Sequence, residues 1–331
     1  MNSSAKPVFS LVGCLMLLLI CLVSSVTLGA VEIPINKILT SFVSFDGSYQ
    51  HLVIQTVRLP RSLIAILVGA ALAVSGALMQ GLTRNPLADP GILGIEAGAA
   101  LTVVITTFVF GTSSVATLTI AAFLGAGITA TSVYFLGSLG KGGATPLNLT
   151  VAGAALTALI SSLTTAILII SQRTLEEIRF WLAGSLAGRD TTILVSALPF
   201  IMIGLVIAFA LGRQITTMSL GDDVAQGLGQ KTAWIKILTA ISVVLLAGSS
   251  VALAGPIGFI GLVVPHIVRF FIKTNYRWIL PYSAVVGATL LLVADITARV
   301  VLKPLELPVG VMTALLGAPF FVYLAKSKVK K

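Results

Sequence analysis

Long apolar runs separated by short polar segments make up most of the chain. They cover residues 8–30, 62–82, 94–110, 115–136, 147–170, 192–211, 234–254, 255–269, 279–302 and 306–321. A helix needs about 20 predominantly apolar residues to cross a bilayer, and most of these runs are about that long. The pattern predicts an all-α polytopic membrane protein with about ten transmembrane helices. We expect one transmembrane domain over residues 1–331.

The composition agrees with a membrane protein and excludes a soluble one. Of the 331 residues, 57% are hydrophobic and 10% are charged, whereas soluble domains carry about 25% charged residues. The net charge is +10 at pH 7, but the basic residues are dispersed in short loops, as the positive-inside rule requires. We therefore exclude a nucleic-acid partner and expect both termini in the cytoplasm. Residues 31–51 read as a polar outer loop.

The run from residue 255 to residue 269 is apolar but interrupted. Its glycines and prolines are Gly255, Pro256, Gly258, Gly261 and Pro265, and it ends with His266 and Arg269. The glycines recur every third residue, which would place them on one helix face. We expect a short, broken membrane segment packed closely against its neighbours. A kinked packing helix explains the glycines equally well, since small residues are common at membrane helix interfaces.

Two further stretches carry prolines and glycines at turns. The stretch QGLTRNPLADPGILG, residues 80–94, contains Asn85-Pro86 and Asp89-Pro90, and both dipeptides initiate turns. It predicts a rigid connection after the second apolar run. The last run contains Pro308, Gly310, Thr313, Gly317 and Pro319. Its glycines and Thr313 would give a helix face with small side chains that could line a transport pathway.

Basic residues at predicted outer helix ends run against the charge bias. Arg58 and Arg61 flank Pro60 before the second run, and Arg299 ends the ninth. One interpretation is interfacial snorkelling. The other is a cationic docking point for an acidic partner, because arginine stays charged and holds a carboxylate through two hydrogen bonds.

The largest predicted cytoplasmic segment covers residues 213–236 and is named here the coupling segment. Its central part is Leu220, Gly221, Asp222, Asp223, Val224, Ala225, Gln226, Gly227, Leu228 and Gly229. The two aspartates suit a helix N-terminus, and Gly227 or Gly229 suits its end. An ordinary connecting helix is the simplest interpretation of this pattern.

Four of the stretches described above, distributed from residue 58 to residue 321, closely resemble the FecCD-type family of permease subunits. That family serves ABC importers of iron–siderophore complexes and vitamin B12. The resemblance implies a type II ABC importer permease architecture and a dimer with a second copy or a paralogous permease. It also implies an ABC ATPase subunit dimer, a periplasmic or lipid-anchored substrate-binding protein, and the bacterial inner membrane as location.

The resemblance also implies roles for particular residues. Arg58, Arg61 and Arg299 would meet acidic residues of the binding protein, and residues 220–229 would fit a groove of the ATPase. The loop before the fifth run, at Thr145, Pro146 and Leu147, would form an inner gate.

The residues present give no basis for catalysis. The chain has no P-loop and no nucleophile–base pair. We therefore expect a non-enzyme without cofactor or metal of its own, whose partner ATPase binds ATP and Mg. His266 is interpreted as a structural hydrogen-bonding residue. An intramembrane enzyme is disfavoured for the same reasons.

An ion-coupled secondary transporter is the main alternative from another class. It would need ionisable groups near the membrane midplane, whereas Glu96 and Asp295 lie near the ends of their runs. For the cargo we expect a ferric siderophore, and cobalamin or haem stay open as alternatives.

Overall fold

The computed structural model describes residues 5–29, 33–111, 114–139, 145–189, 191–303 and 305–329. The regular secondary structure of this part of the chain is entirely helical, and it contains no strand. The first helices are α1 (Ala5–Thr27), α2 (Ile35–Val43), α3 (Tyr49–Val53), α4 (Leu59–Thr83), α5 (Ile95–Phe110), α6 (Val115–Ser138) and α7 (Pro146–Ile170). They are followed by α8 (Gln172–Leu182), α9 (Thr191–Ala210), α10 (Gly212–Met218), α11 (Asp222–Gly227), α12 (Thr232–Ala254), α13 (Ile260–Ile272), α14 (Tyr276–Val300) and α15 (Val309–Val329).

The predicted all-α membrane architecture is confirmed. Seven stretches of the described chain are long and apolar enough to cross a membrane, and they belong to α1, α3–α4, α6, α7, α9, α12 and α14. Three shorter apolar helices lie in α5, α13 and α15. Each predicted apolar run contains one of these helices.

Helix α4 lies at the centre of the helical assembly. Within its apolar window 83% of the residues are buried, compared with 11% for α1 and 17% for α7. It packs against α12, α13 and α14. Small residues make this packing close: Gly69 lies against the backbone of Gly287, and Gly76 lies against the carbonyl of Gly261. Lipid offers no hydrophobic drive for association, so such van der Waals contacts between backbones hold membrane helices together.

The expected polar loop at residues 31–51 is wrong for most of its length. Helices α2 and α3 occupy it, and a π-helical turn, Ile54–Arg58, leads directly into α4. Two features explain why this region is folded into helices. Val26, Ile33 and Ile54 form a small apolar cluster of their own. The buried His51 has its ring nitrogens within 3.1 Å of the Thr40 hydroxyl and 2.8 Å of the Asp46 carboxylate.

Candidate functional site

Residues 255–259 form a non-helical break between α12 and α13, named here the break segment. Gly255 ends α12 with a φ of 73°, and Phe259 starts α13 with a φ of 71°. The expected broken membrane segment is therefore present. The expected common helix face of the glycines is wrong, because Gly255 and Gly258 lie in the break and only Gly261 is helical. Pro256 and Gly258 are both non-helical residues of the break segment.

The break segment packs closely against the α8–α9 connection, which in turn packs against the start of α15. Ser185 N donates to the Ala254 carbonyl at 2.7 Å, and Gly310 N donates to the Gly184 carbonyl at 3.0 Å. A Cβ atom added at Gly255 would collide with the Trp181 carbonyl. One at Gly310 would collide with the Ala183 carbonyl. The α8–α9 connection, the break and the start of α15 therefore form one close-packed unit.

The proline inside α13 leaves a carbonyl that another helix serves. Pro265 has no N–H, so the carbonyl of Gly261, four residues earlier, lacks its normal helical partner. Gln80 of α4 donates its Nε2 to that carbonyl at 3.1 Å and to the Leu262 carbonyl at 3.3 Å. Arg269 Nη1 donates to Gln80 Oε1 at 2.5 Å, and its Nη2 donates to the Tyr276 hydroxyl at 3.0 Å.

The other residues of the proline- and glycine-bearing motifs lie in turns and packing contacts. Asn85 Oδ1 accepts from Leu87 N at 3.0 Å, and Asp89 Oδ1 accepts from Gly91 N at 2.9 Å, where Pro90 opens a short 3₁₀ turn. Further along the chain, the His266 ring lies edge-on to Phe270 and Phe320. Gly317 touches the side chain of Phe259. Pro308 lies just before α15 and Pro319 lies inside it. Pro86 follows Asn85 in the turn after α4.

The arginines predicted to dock a partner lie together, but they are buried. Arg58 is 6% exposed, Arg61 is 7% and Arg299 is 4%. Arg58 Nη1 donates to the carbonyls of Val26 and Thr27, each at 2.7 Å. Arg299 Nη1 donates to the carbonyls of Ser25 at 3.0 Å and Leu28 at 3.1 Å. The last carbonyls of a helix have no helical partner, so these two arginines cap the end of α1.

Two carboxylates complete this arginine cluster, defined as Arg58, Arg61 and Arg299 with Asp295 and Glu306. Arg61 Nη2 donates to Asp295 Oδ1 at 2.8 Å, and its Nη1 donates to Glu306 Oε2 at 2.6 Å. Arg299 Nη2 lies 3.1 Å from Asp295 Oδ2. The Asp295 side chain is fully buried, whereas 36% of the Glu306 side chain is exposed. A cavity of about 230 Å³ lies beside the arginines and Glu306.

Sequence analysis missed Asp295 and Glu306 as partners of the arginines. The four-residue spacing between Asp295 and Arg299 was a usable signal, since such a pair shares a helix face. Glu306 gave no signal, because the fold alone brings it to Arg61.

The predicted helix in the coupling segment is present as α11, preceded by α10. Asp222 and Asp223 stand in its first turn and Gly227 ends it. Asp222 Oδ2 pairs with Lys236 Nζ at 2.6 Å, whereas Asp223 is exposed. Ala225 is buried, and Gly221 and Gly229 have positive φ angles. Three apolar side chains of this region are also exposed: Leu220 is 68%, Val224 47% and Leu228 66% exposed.

The residues predicted to form a gate lie at the start of α7. Thr145 Oγ1 accepts from Asn148 N at 3.2 Å and so caps the helix, with Pro146 in the first turn. Leu147 is 71% exposed. Residues 140–144 of the same loop lie outside the described part of the chain. Their role as a gate stays a prediction.

An open groove lies along one face of α15. It has a volume of about 560 Å³ and is lined by Ala183, Gly310, Val311, Ala314, Leu315, Ala318 and Pro319. Thr313, predicted to line a path, is instead buried, and its hydroxyl donates to the Gly310 carbonyl at 3.0 Å. The groove face of α15 is therefore the apolar one.

Comparison with known proteins places these features in a family. The model of the FecCD transport family matches residues 17–327. A Bacillus subtilis (strain 168) protein named Probable siderophore transport system permease protein YfiZ is 49% identical over 320 residues, 97% of this chain and 96% of that protein. The iron(3+)-hydroxamate import system permease protein FhuB of the same organism is 45% identical and matches 94% of this chain and 81% of its own length.

A solved structure has the same fold. It is described as an inward-facing conformation of a metal-chelate type ABC transporter, and it matches with a TM-score of 0.85 and 34% identity. The match covers 96% of this chain and 98% of that one.

Proposed function

Since the chain belongs to the FecCD transport family, it is a permease component of an ABC importer, and we propose that its cargo is a ferric siderophore. The observation that carries the proposal is the near-complete match to relatives named for siderophore and iron(3+)-hydroxamate transport. The family match argues against an ion-coupled secondary transporter. The chain is a multi-pass membrane protein, and we place it in the bacterial inner membrane with both termini in the cytoplasm.

Energy and substrate capture come, in this proposal, from other chains. A dimer of ABC ATPase subunits binds ATP and Mg and hydrolyses the nucleotide, so this chain is not itself an enzyme and carries no cofactor. A periplasmic or lipid-anchored binding protein delivers the ferric siderophore. The whole chain acts as one permease domain beside a second permease, and the Thr145–Leu147 region gates its inner side.

Contact with the ATPase is assigned to the coupling segment. The exposed side chains of Leu220, Val224 and Leu228 support this, because these three apolar residues lie at the surface between two candidate membrane spans, Thr191–Ala210 and Thr232–Ala254. Exposed apolar groups of this kind mark sites of protein association.

Contact with the binding protein is assigned to the arginine cluster, where a carboxylate of the binding protein would replace Glu306 as the partner of Arg61. Arg61 already holds Glu306, so an incoming carboxylate meets an occupied guanidinium. Glu306 is the most exposed acid of the cluster and stands in the non-helical segment before α15. A carboxylate of the binding protein therefore displaces Glu306 from Arg61, while Asp295 keeps Arg61 in place.

The proposed cargo is tested by uptake of radiolabelled iron bound to a hydroxamate siderophore. Cells that lack the gene should lose this uptake, and a plasmid carrying the chain should restore it. Uptake of cobalamin and of haem iron in the same cells serves as the control and should stay unchanged. Dependence of cobalamin or haem uptake on this chain, with hydroxamate uptake intact, would assign a different cargo.

A further inference from the structure

The close approach of α4 and α13 explains why Gln80 is the residue that donates a hydrogen bond to the Gly261 carbonyl. The Gly76 backbone touches the Gly261 carbonyl so closely that a Cβ atom does not fit between them. The partner for that carbonyl must therefore come from the next turn of α4, on the same helix face. Gln80 stands four residues after Gly76 and is 2% exposed. At membrane depth a freed backbone carbonyl needs such a partner.

Arg269 fixes the orientation of the Gln80 amide. By donating to Oε1, it turns the amide nitrogen toward the Gly261 and Leu262 carbonyls. Arg269 itself belongs to α13. The side chain that holds Gln80 therefore comes from the same helix whose break Gln80 supports.

The hydrogen bonds continue into the coupling segment. Arg269 Nη2 donates to the hydroxyl of Tyr276, the first residue of α14. The backbone N–H of Tyr276 donates to Thr216 Oγ1 of α10 at 3.0 Å. Tyr276 is 4% exposed, and α10 leads within four residues to α11. A continuous set of direct contacts therefore joins the coupling segment to the first turn of α13, directly after the break segment.

We propose that Thr216, Tyr276, Arg269 and Gln80 form a polar link that transmits movement of α10–α11 to the break ahead of α13, with Gln80 as a positioning residue. The inference rests on the proposed function of the coupling segment as the ATPase contact. Buried, hydrogen-bonded groups change between discrete arrangements rather than continuously. A shift of α10 therefore moves Tyr276 and Arg269 together, and the Gln80 amide carries the shift to Gly261.

The experiment reports on the break segment without requiring a known cargo. Gly258→Cys is the reporter, because a Cβ atom at Gly258 meets no other atom within 4 Å. The two natural cysteines, Cys14 and Cys21, are replaced by serine. The labelling rate of the reporter is measured in the complete permease–ATPase complex, without nucleotide and with trapped ATP. We expect the two rates to differ when Gln80 is present.

Gln80→Met keeps the length of the side chain and removes the amide. We expect the ratio of the two labelling rates to move toward one by about 3-fold or more, which is near the lower end of the range for a coupling residue. Arg269→Lys should act in the same direction, because an ammonium cannot reproduce the guanidinium fork. Tyr276→Phe, which removes only a hydroxyl, should give a smaller change and serves where the other variants accumulate poorly.

Ser242→Ala is the matched control. It removes another buried hydrogen bond between helices, from Ser242 Oγ to the Gly204 carbonyl at 2.8 Å, away from the link. Its ratio should equal that of the parent. An unchanged ratio in Gln80→Met, an equal fall in Ser242→Ala, or no nucleotide dependence in the parent reporter each overturns the proposal. Failure of the unaltered chain to assemble with the ATPase would instead reject the proposed role of the coupling segment.

Discussion

At the scale of single residues, Glu306 controls how Arg61 meets a partner. Replacing the arginines themselves would not isolate docking, since Arg58 and Arg299 also cap α1 and Arg61 also holds the buried Asp295. A Glu in place of Arg61 would put a second carboxylate beside the buried Asp295 with Arg299 alone to neutralise the two, and an uncompensated buried charge is strongly destabilising. Glu306 offers a gentler change because its side chain is partly exposed.

Glu306→Gln should therefore tighten association with the binding protein. The variant removes the internal competitor for Arg61 and leaves the arginines in place. We expect Kd to fall roughly 2- to 5-fold at low salt, since a partly exposed ion pair is worth about 0–1 kcal/mol. The measurement is binding of the purified binding protein to the permease–ATPase complex in nanodiscs.

Glu177→Gln is the control for that experiment. It removes the same charge from a surface ion pair with Arg173 on α8, without contact to the arginine cluster. Its Kd should match the parent value. Unchanged or weaker binding by Glu306→Gln would show that Glu306 does not compete with the partner.

At the scale of elements, α11 and its flanking residues combine a partly exposed charge pair with exposed apolar side chains. Charge reversal at Asp222 would disturb the segment itself, because Asp222 holds Lys236 of α12. Val224 and Leu228 are better targets, because their side chains are exposed and take no part in an ion pair.

The double variant Val224→Gln, Leu228→Gln should reduce assembly with the ATPase. We expect at least about tenfold weaker association, because truncating an apolar contact at an interface centre costs roughly 1–2 kcal/mol. Co-purification of the ATPase and binding-protein-stimulated ATP hydrolysis provide the measurements. Lys231→Ala, an exposed change just beyond α11, should leave both unaltered. Normal assembly of the double variant would remove α11 from the ATPase contact.

At the scale of the whole molecule, the groove on α15 is the face we assign to the second permease. Leu315 lines it and is 61% exposed. An interface related by two-fold symmetry brings the same patch of both copies together. A cargo path between two copies would then run beside the break segment, whose Phe259 side chain packs against Gly317 of α15.

Leu315→Cys, in a chain whose natural cysteines are replaced by serine, should form a covalent dimer with a bifunctional maleimide in membranes. Leu159→Cys on α7 provides the control, because it is 58% exposed on another apolar helix, and it should stay monomeric. Gel electrophoresis after cross-linking distinguishes the two. Equal cross-linking at both positions would argue against α15 as the dimer face.

Apolar length and proline chemistry determined much of this protein from the sequence alone. The run predicted at residues 115–136 became α6, Val115–Ser138, because lipid selects helices by composition and length. A break within residues 255–269 was also predictable, since Pro256 removes an N–H in whatever fold it stands. The local acid pair at Asp222 and Asp223 marked the start of α11 correctly.

The tertiary structure alone decided which groups meet across the chain. Gln80 reaches Gly261 from 181 residues away, and Arg61 reaches Asp295 from 234 residues away. In a membrane protein, residues that face lipid and residues that face another helix are equally apolar, so periodicity does not identify neighbours. The packing of small residues such as Gly76 and Gly261 sets which helices touch. Once those helices touch, the buried carbonyls and carboxylates determine where each polar side chain must bond.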